Sequence, residues 1–210
     1  MAILDVDAAY RAGLEPLDLA NAFCDGGATF LQIRAKTASS SEFLDVARVV
    51  VRIAHASGAT VMVNDRADIA RLAEADGVHV GQDDLSPADV RSIIGADAVV
   101  GLSTHTQAQL DVAIGEPITY VAIGPVFETR SKATGYDAVG LGAVRAAAAI
   151  ARAAGLALVA IGGITLENAP SVIEAGAQSV AVIGDLLTSG DPAGRTRQFL
   201  RRLDAVEANS

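Results

Sequence analysis

Short apolar runs recur along the chain, and nearly every one stops at polar or glycine residues. Leu31-Gln32-Ile33 leads into Arg34 and Lys36, Val61-Met62-Val63 into Asn64-Asp65, and Gly77-Val78-His79-Val80 into Gly81-Gln82-Asp83-Asp84. Val99-Val100-Gly101-Leu102 leads into Ser103-Thr104-His105, and Val121-Ala122-Ile123 into Gly124-Pro125. Leu158-Val159-Ala160-Ile161 stops at Gly162-Gly163, and Val180-Ala181-Val182-Ile183 at Gly184-Asp185. These runs are rich in Val, Ile and Leu and alternate little, as strands buried on both faces of a parallel sheet do. They predict strands near residues 2–6, 30–34, 60–63, 77–79, 98–102, 120–123, 157–160 and 179–182. Parallel strands share one C-terminal face, so polar residues at every strand end imply one shared pocket. That is the layout of an α/β protein with a single (β/α)8, or TIM, barrel.

Helical signals fill the intervals. Ser39 and Glu42 form a capping box before Phe43, Ala47, Val50, Val51 and Ala54, and Gly58 stops that helix. Ser86-Pro87 and Asp191-Pro192 each read as an N-cap followed by proline at the first helical position. Residues 143–154 form an alanine-rich helix ended by Gly155, and the last helix carries Phe199, Leu200 and Leu203. The longest non-periodic stretch, residues 124–140, follows a strand and holds Thr129, Arg130, Ser131 and Lys132. It is expected to be a mobile loop that grips phosphate.

Composition narrows the reading. No linker or low-complexity segment divides the 210 residues, so a single domain over 1–210 is expected, with the barrel over about 2–204 and a frayed tail. The 51% hydrophobic content suits a barrel buried on both faces of its strands. A formal net charge of −9 argues against a nucleic-acid partner while leaving room for a locally positive pocket. One cysteine, Cys24, excludes an internal disulfide and points to the cytoplasm. Residues 1–7 turn acidic at once, and neither a signal peptide nor a membrane association is expected. Oligomeric state is not legible, and a homodimer stays open.

Each strand end has a bland reading beside the chemical one. Arg34 and Lys36 alternate with Ile33 and Ala35 and so point the same way, which suits a polyanion; either alone fits a solvated charge with a carboxylate partner. Asp65 and Asp84 end adjacent strands. They suit Mg²⁺ shared with substrate phosphates, or else simple helix capping. Gly162-Gly163 and Ile183-Gly184 offer backbone N–H groups to a phosphate, or a turn that needs glycine. His55 is expected at the surface, His79 to be structural within a strand, and Cys24 to pack. His105 is the one histidine placed for acid–base work, and no Ser/His/Asp triad is evident.

Together these strings resemble the thiamine-phosphate synthase family. Gln32-x-Arg34-x-Lys36 and Asn64-Asp65-Arg66 match its strand ends, as does the segment from Asp76 through Asp84. Gly101 through His105, Gly124 through Lys132 and Ala160 through Ile164 follow in order. For the first strand end the matching polar residue is Asp7. Two positions depart: Ser131 replaces a threonine, and Gly184-Asp185 stands where the family's last strand runs into serine.

The resemblance implies an enzyme that joins a pyrimidine carrying a methyl diphosphate to a thiazole carrying an ethyl phosphate. It implies Mg²⁺ held by Asp65 and Asp84, and a diphosphate gripped by Arg34, Lys36, Asn64 and Lys132. Gln32 and Ser103 would orient the pyrimidine or its leaving group. Thr129, Ser131, Gly163, Ile183 and Gly184 would hold the thiazole phosphate. Arg34, Lys36, Ser103 and Lys132 are the expected catalytic residues. The alternatives are a thiazole tautomerase, or a non-catalytic barrel that binds the thiazole phosphate.

Overall fold

A computed structural model describes residues 1–129 and 135–207. Eight parallel strands pair in chain order, β1 (Ala2–Asp5), β2 (Phe30–Arg34), β3 (Thr60–Asn64), β4 (Gly77–Val80), β5 (Val99–Thr104), β6 (Tyr120–Ile123), β7 (Ala157–Ile161) and β8 (Ser179–Ala181). The seam closes between first and last: Ile3 N donates to Val182 O at 3.0 Å and Val182 N to Met1 O at 3.2 Å. The result is a (β/α)8 barrel. Among the described residues no helix is long and apolar enough to cross a membrane.

Helices α1 (Val6–Arg11) and α2 (Pro16–Asp25) follow β1, and α3 (Ser40–Ala56) follows β2. Next come α4 (Ala67–Ala73), α5 (Pro87–Ile94), α6 (Gln107–Ala113), α7 (Gly140–Ala153) and α8 (Ala169–Glu174), one after each of β3 to β7. A 3-10 turn at Gly184–Leu187 and α9 (Pro192–Glu207) complete the ring. The local signals behave as their chemistry requires. Ser39 and Glu42 cap α3 reciprocally, and Ser86 caps α5 ahead of Pro87. The alanine-rich helix begins at Gly140, three residues earlier than its composition suggests. β1 stops at Asp5 rather than residue 6, because the Asp5 carboxylate accepts Ala8 N at 2.7 Å and starts α1 immediately.

Alternation along each strand divides the molecule into two layers. On β2, Leu31 and Ile33 are fully buried in the layer between strands and helices, while Gln32 and Arg34 line the cavity at the barrel mouth. Burying each such aliphatic side chain stabilises the fold by about 1.5–3 kcal/mol. The lumen is filled by Ile3, Met62, Tyr120, Ala122, Val159 and Ala181. Tyr120 fits there because β5 offers no side chain opposite it. A Cβ on Gly101 would stand 2.1 Å from the phenol ring.

Candidate active site

The strand C-termini surround a cavity of about 620 Å³. Its first half, from β1 to β5, is built from side chains. Arg34 at the end of β2 is ion-paired with Asp5 at the end of β1, both largely buried. The Arg34 Nε is buried with no hydrogen-bond partner among the described residues. A guanidinium anchored on one side and holding an unmatched donor suits an anionic ligand oxygen. Gln32 Nε2 donates to Asn64 Oδ1 at 3.0 Å, joining β2 to β3. Lys36, further along the loop, is ion-paired with Asp65. Both cations therefore have carboxylate partners; Asp65 lines the cavity, whereas Asp5 is buried behind Arg34.

Asp65 is the most constrained residue of this half. Its φ is +62°, a left-handed conformation that costs a non-glycine residue energy and that Asp and Asn tolerate best. It does not cap the helix that follows, since α4 starts from Arg66 without a side-chain cap. Asp84 lies before the Ser86 cap and accepts Gly81 N at 2.8 Å. The Asp65 and Asp84 side chains line the same cavity. Burial raises the Asp65 pKa and the Asp84 neighbour adds to the rise, while Lys36 opposes it. Two hard oxygen donors as neighbours fit a divalent cation that completes its shell with substrate phosphates. Among the described residues no cluster of three or more His, Cys, Asp or Glu forms a full protein cage.

Ser103 at the end of β5 is part of a buried chain that the sequence did not reveal. His79 Nδ1 lies 2.8 Å from Tyr120 Oη, and His79 Nε2 lies 2.8 Å from Ser103 Oγ. His79 was expected to be a structural strand residue, yet its ring lines the cavity and stacks on Tyr120 at 5.5 Å. Burial raises the Tyr120 phenol far above its ordinary value, so the phenol stays protonated. Gln82 Nε2 donates to Ser103 O at 2.7 Å and fixes the same strand end from the β4 side.

The second half, from β6 to β8, is centred on glycine turns. Gly162 and Gly163 follow β7 with φ of +100° and +65°. A Cβ on Gly163 would meet Glu128 O at 2.5 Å, so the β6 and β7 loops pack too closely for any other residue. Asn168 holds the turn: its Oδ1 accepts Thr165 N at 2.8 Å and its Nδ2 donates to Gly163 O at 3.0 Å. Ile183 and Gly184 line the same wall after β8, and Thr129 lines it from the β6 loop. The remaining predicted residues of that loop, Ser131 and Lys132, lie outside the described residues.

Two expectations shift. The polar residue at the first strand end is Asp5, which holds Arg34, whereas Asp7 binds Thr37 and the Lys36 backbone further out. His105 bonds the Gly124 carbonyl through Nδ1 and stacks on Tyr136 at 4.0 Å, which ties loops together at the cavity rim. Asp185 lines the cavity beside Gly184 and is ion-paired with Arg195. His55 is exposed on α3 and pairs with Asp76, and Cys24 packs partly buried on α2, both as expected.

A barrel mouth with cations and paired carboxylates on one side and glycine turns on the other defines a class, the (β/α)8 enzymes acting on phosphorylated small molecules. Residues 4–186 match the thiamine monophosphate synthase family, and the chain belongs to that family. It is 49% identical over 178 residues to the thiamine-phosphate synthase of Koribacter versatilis, covering 85% of this chain and 82% of that one. The enzyme of the same name from Acidothermus cellulolyticus is 41% identical over 205 residues, 97% of this chain and 94% of that one. The structure of a thiamine phosphate pyrophosphorylase from Pyrococcus furiosus superposes with a TM-score of 0.86 at 25% identity, covering 98% of this chain and 95% of the other.

Proposed function

We propose that this barrel joins a pyrimidine methyl diphosphate to a thiazole ethyl phosphate, giving thiamine phosphate and diphosphate. The observation that carries the reading is the first half of the mouth, where Arg34, Lys36, Asp65 and Asp84 line one cavity and Lys36 is ion-paired with Asp65. A tautomerase handling one phosphate has no use for that density of opposed charge.

The bond from the pyrimidine methylene to oxygen breaks first, and the electron pair leaves with diphosphate. The methylene cation is stabilised by the amino-substituted ring, and the thiazole nitrogen then supplies the new bond. No protein nucleophile is needed. Arg34 lies at the cavity wall with an unmatched donor, so it stabilises the negative charge that grows on the leaving group. Lys36 and Asn64 border the same region, and Lys132 is assigned there by family resemblance. Gln32 and Ser103 orient the pyrimidine, with His79 and Tyr120 fixing the serine hydroxyl from behind. Asp65 and Asp84 would hold Mg²⁺, which when bound neutralises diphosphate charge. Thr129, Gly163, Ile183 and Gly184 form the cup for the thiazole phosphate, a spectator group that anchors the second substrate, and Ser131 is assigned to it by family resemblance.

The enzyme acts as one domain in the cytoplasm, and its partners are these two small molecules. Purified protein incubated with both substrates and Mg²⁺ should form thiamine phosphate. Tight binding of the thiazole phosphate with no product would favour the non-catalytic barrel instead. Isomerisation of a thiazole substrate in the absence of the pyrimidine would favour the tautomerase.

A further inference from the structure

The two backbone halves of the phosphate cup are tied together by one carboxylate. Asp185 lies in the 3-10 turn, directly after Gly184, and reaches back to the loop after β7. Its Oδ2 accepts Leu166 N at 3.2 Å, Arg195 Nε at 3.0 Å and Arg195 Nη2 at 2.8 Å. One oxygen thus collects donors from the β7 loop and from α9 while its own backbone belongs to the β8 turn. Both partners are largely buried, with 11% of the Asp185 and 15% of the Arg195 side chain exposed. Arg195 is itself oriented by Gln198 Oε1 at 3.2 Å, by Glu167 at 3.7 Å and by the Phe199 ring at 5.8 Å.

Backbone donors bind an anion well only when they already stand where its oxygens will be. Glycine-rich turns are poor at holding such positions unaided, because glycine has the widest conformational freedom. The Gly162-Gly163 side is fixed internally by Asn168. The β7–β8 ladder joins the two strands only as far as Ile161 and Ala181, short of Gly163 and Gly184. Beyond it the Asp185 oxygen spans from the turn containing Gly184 to Leu166. Arg195 completes the arrangement by cancelling a negative charge that would otherwise stand beside the bound phosphate.

We propose that Asp185, held by Arg195, is a positioning residue that sets the spacing of the two cup halves and so the affinity for the thiazole phosphate. This rests on the assignment of the cup under the proposed function. The test is calorimetric titration of the thiazole phosphate into wild type, Asp185→Ala, Asp185→Asn, Arg195→Met, Arg195→Lys and Thr129→Val. Both KM values and the thermal midpoint are measured on each protein.

Asp185→Ala should weaken binding about tenfold, the loss of one charge-assisted contact set. The KM for the thiazole phosphate should rise in parallel while that for the pyrimidine diphosphate stays within about twofold. Asp185→Asn should fall between, since its amide oxygen still accepts from Leu166. Arg195→Met should bind worst, because it leaves an unpaired carboxylate by the phosphate, and Arg195→Lys should recover part of the loss. Unchanged affinity in Asp185→Ala, or equal rises in both KM values, overturns the proposal. If that happens while Thr129→Val still weakens binding, the cup stands and only the clasp is wrong. Wild type that binds no thiazole phosphate removes the cup and the clasp together.

Discussion

The two halves of the barrel mouth are made of different material. From β1 to β5 the strand ends carry Gln32, Arg34, Asn64, Asp65, Ser103 and the nearby Asp84, side chains that line the cavity, with Asp5 buried against Arg34. From β6 to β8 they run into Gly124, Gly162, Gly163 and Gly184, which can offer a ligand only their main chain. A main-chain wall offers fixed dipoles of modest strength and cannot change charge. A side-chain wall offers full charges, but each must be held against its neighbours, and the buried Arg34–Asp5 pair and the strained Asp65 backbone are the signs of that. The difference teaches where chemistry and where anchoring should fall. Groups that meet developing charge act on kcat, whereas groups that hold a spectator phosphate act on KM.

The sharpest way to break this contrast is Arg34→Gln. Losing a fixed donor at the leaving group should lower kcat by about 10²–10³. It also leaves Asp5 buried without its partner, and breaking such a pair costs about 3–5 kcal/mol. The double variant Arg34→Gln with Asp5→Asn should recover most of the thermal midpoint and none of the turnover. Recovery of both in the double variant would mean that Arg34 only supports the fold.

Asp65→Asn and Asp84→Asn come next, with expected losses of about 10–100-fold in apparent Mg²⁺ affinity. Asparagine tolerates the left-handed backbone at position 65, so the fold should survive the first change. Activity measured against magnesium concentration decides the matter. Curves that match wild type for both variants would make these carboxylates structural.

The side-chain half should also respond to pH where the main-chain half does not. Burial first, and Asp84 second, raise the folded pKa of Asp65. In metal-free protein its favourable contribution is therefore complete below the ordinary aspartate pKa and is lost as pH rises through the raised value. Metal binding needs the ionised form, so apparent Mg²⁺ affinity should fall on acidification from a pH above the ordinary aspartate range. Asp65→Asn should remove that dependence. Thiazole-phosphate affinity in magnesium-free buffer should show no matching inflection that Asp65→Asn abolishes.

The smallest effect belongs to Gly184→Ser, which adds a hydroxyl to the main-chain wall. Gly184 opens a right-handed 3-10 turn, a conformation serine adopts without strain. The KM for the thiazole phosphate should fall by about threefold, less than a full charge-assisted hydrogen bond because main-chain donors already serve the phosphate. The KM for the pyrimidine diphosphate should not move. No change in either would show that this position does not limit binding.

The side-chain half was also the more legible of the two in sequence. Buried parallel strands are continuous apolar runs, so the polar residue that ends each run marks both the strand end and the pocket. Arg34, Asn64, Asp65 and Ser103 were found this way and do line one cavity. What the pattern missed are relations that only barrel closure creates. His79 stands 41 residues from Tyr120 and 24 from Ser103, and a lone histidine in a strand carries no sign of either partner. The Asp185–Arg195 pair has no local sign either, because Arg195 sits on α9, beyond any local pattern. Asp7 was matched where Asp5 acts, since an apolar run gives no signal that it stops two residues earlier to cap a helix.

The contact between Gly101 and Tyr120 bears on how such a site can be rebuilt by mutation. With a Cβ on residue 101 set only 2.1 Å from the phenol ring, no side chain can be added at 101 while the tyrosine remains. A smaller residue at 120 must come first, at the expense of the His79–Ser103 chain, before residue 101 is free to vary. Evolutionary routes through this pair therefore run in one order, and a library that randomises the two positions singly will find only dead ends at 101.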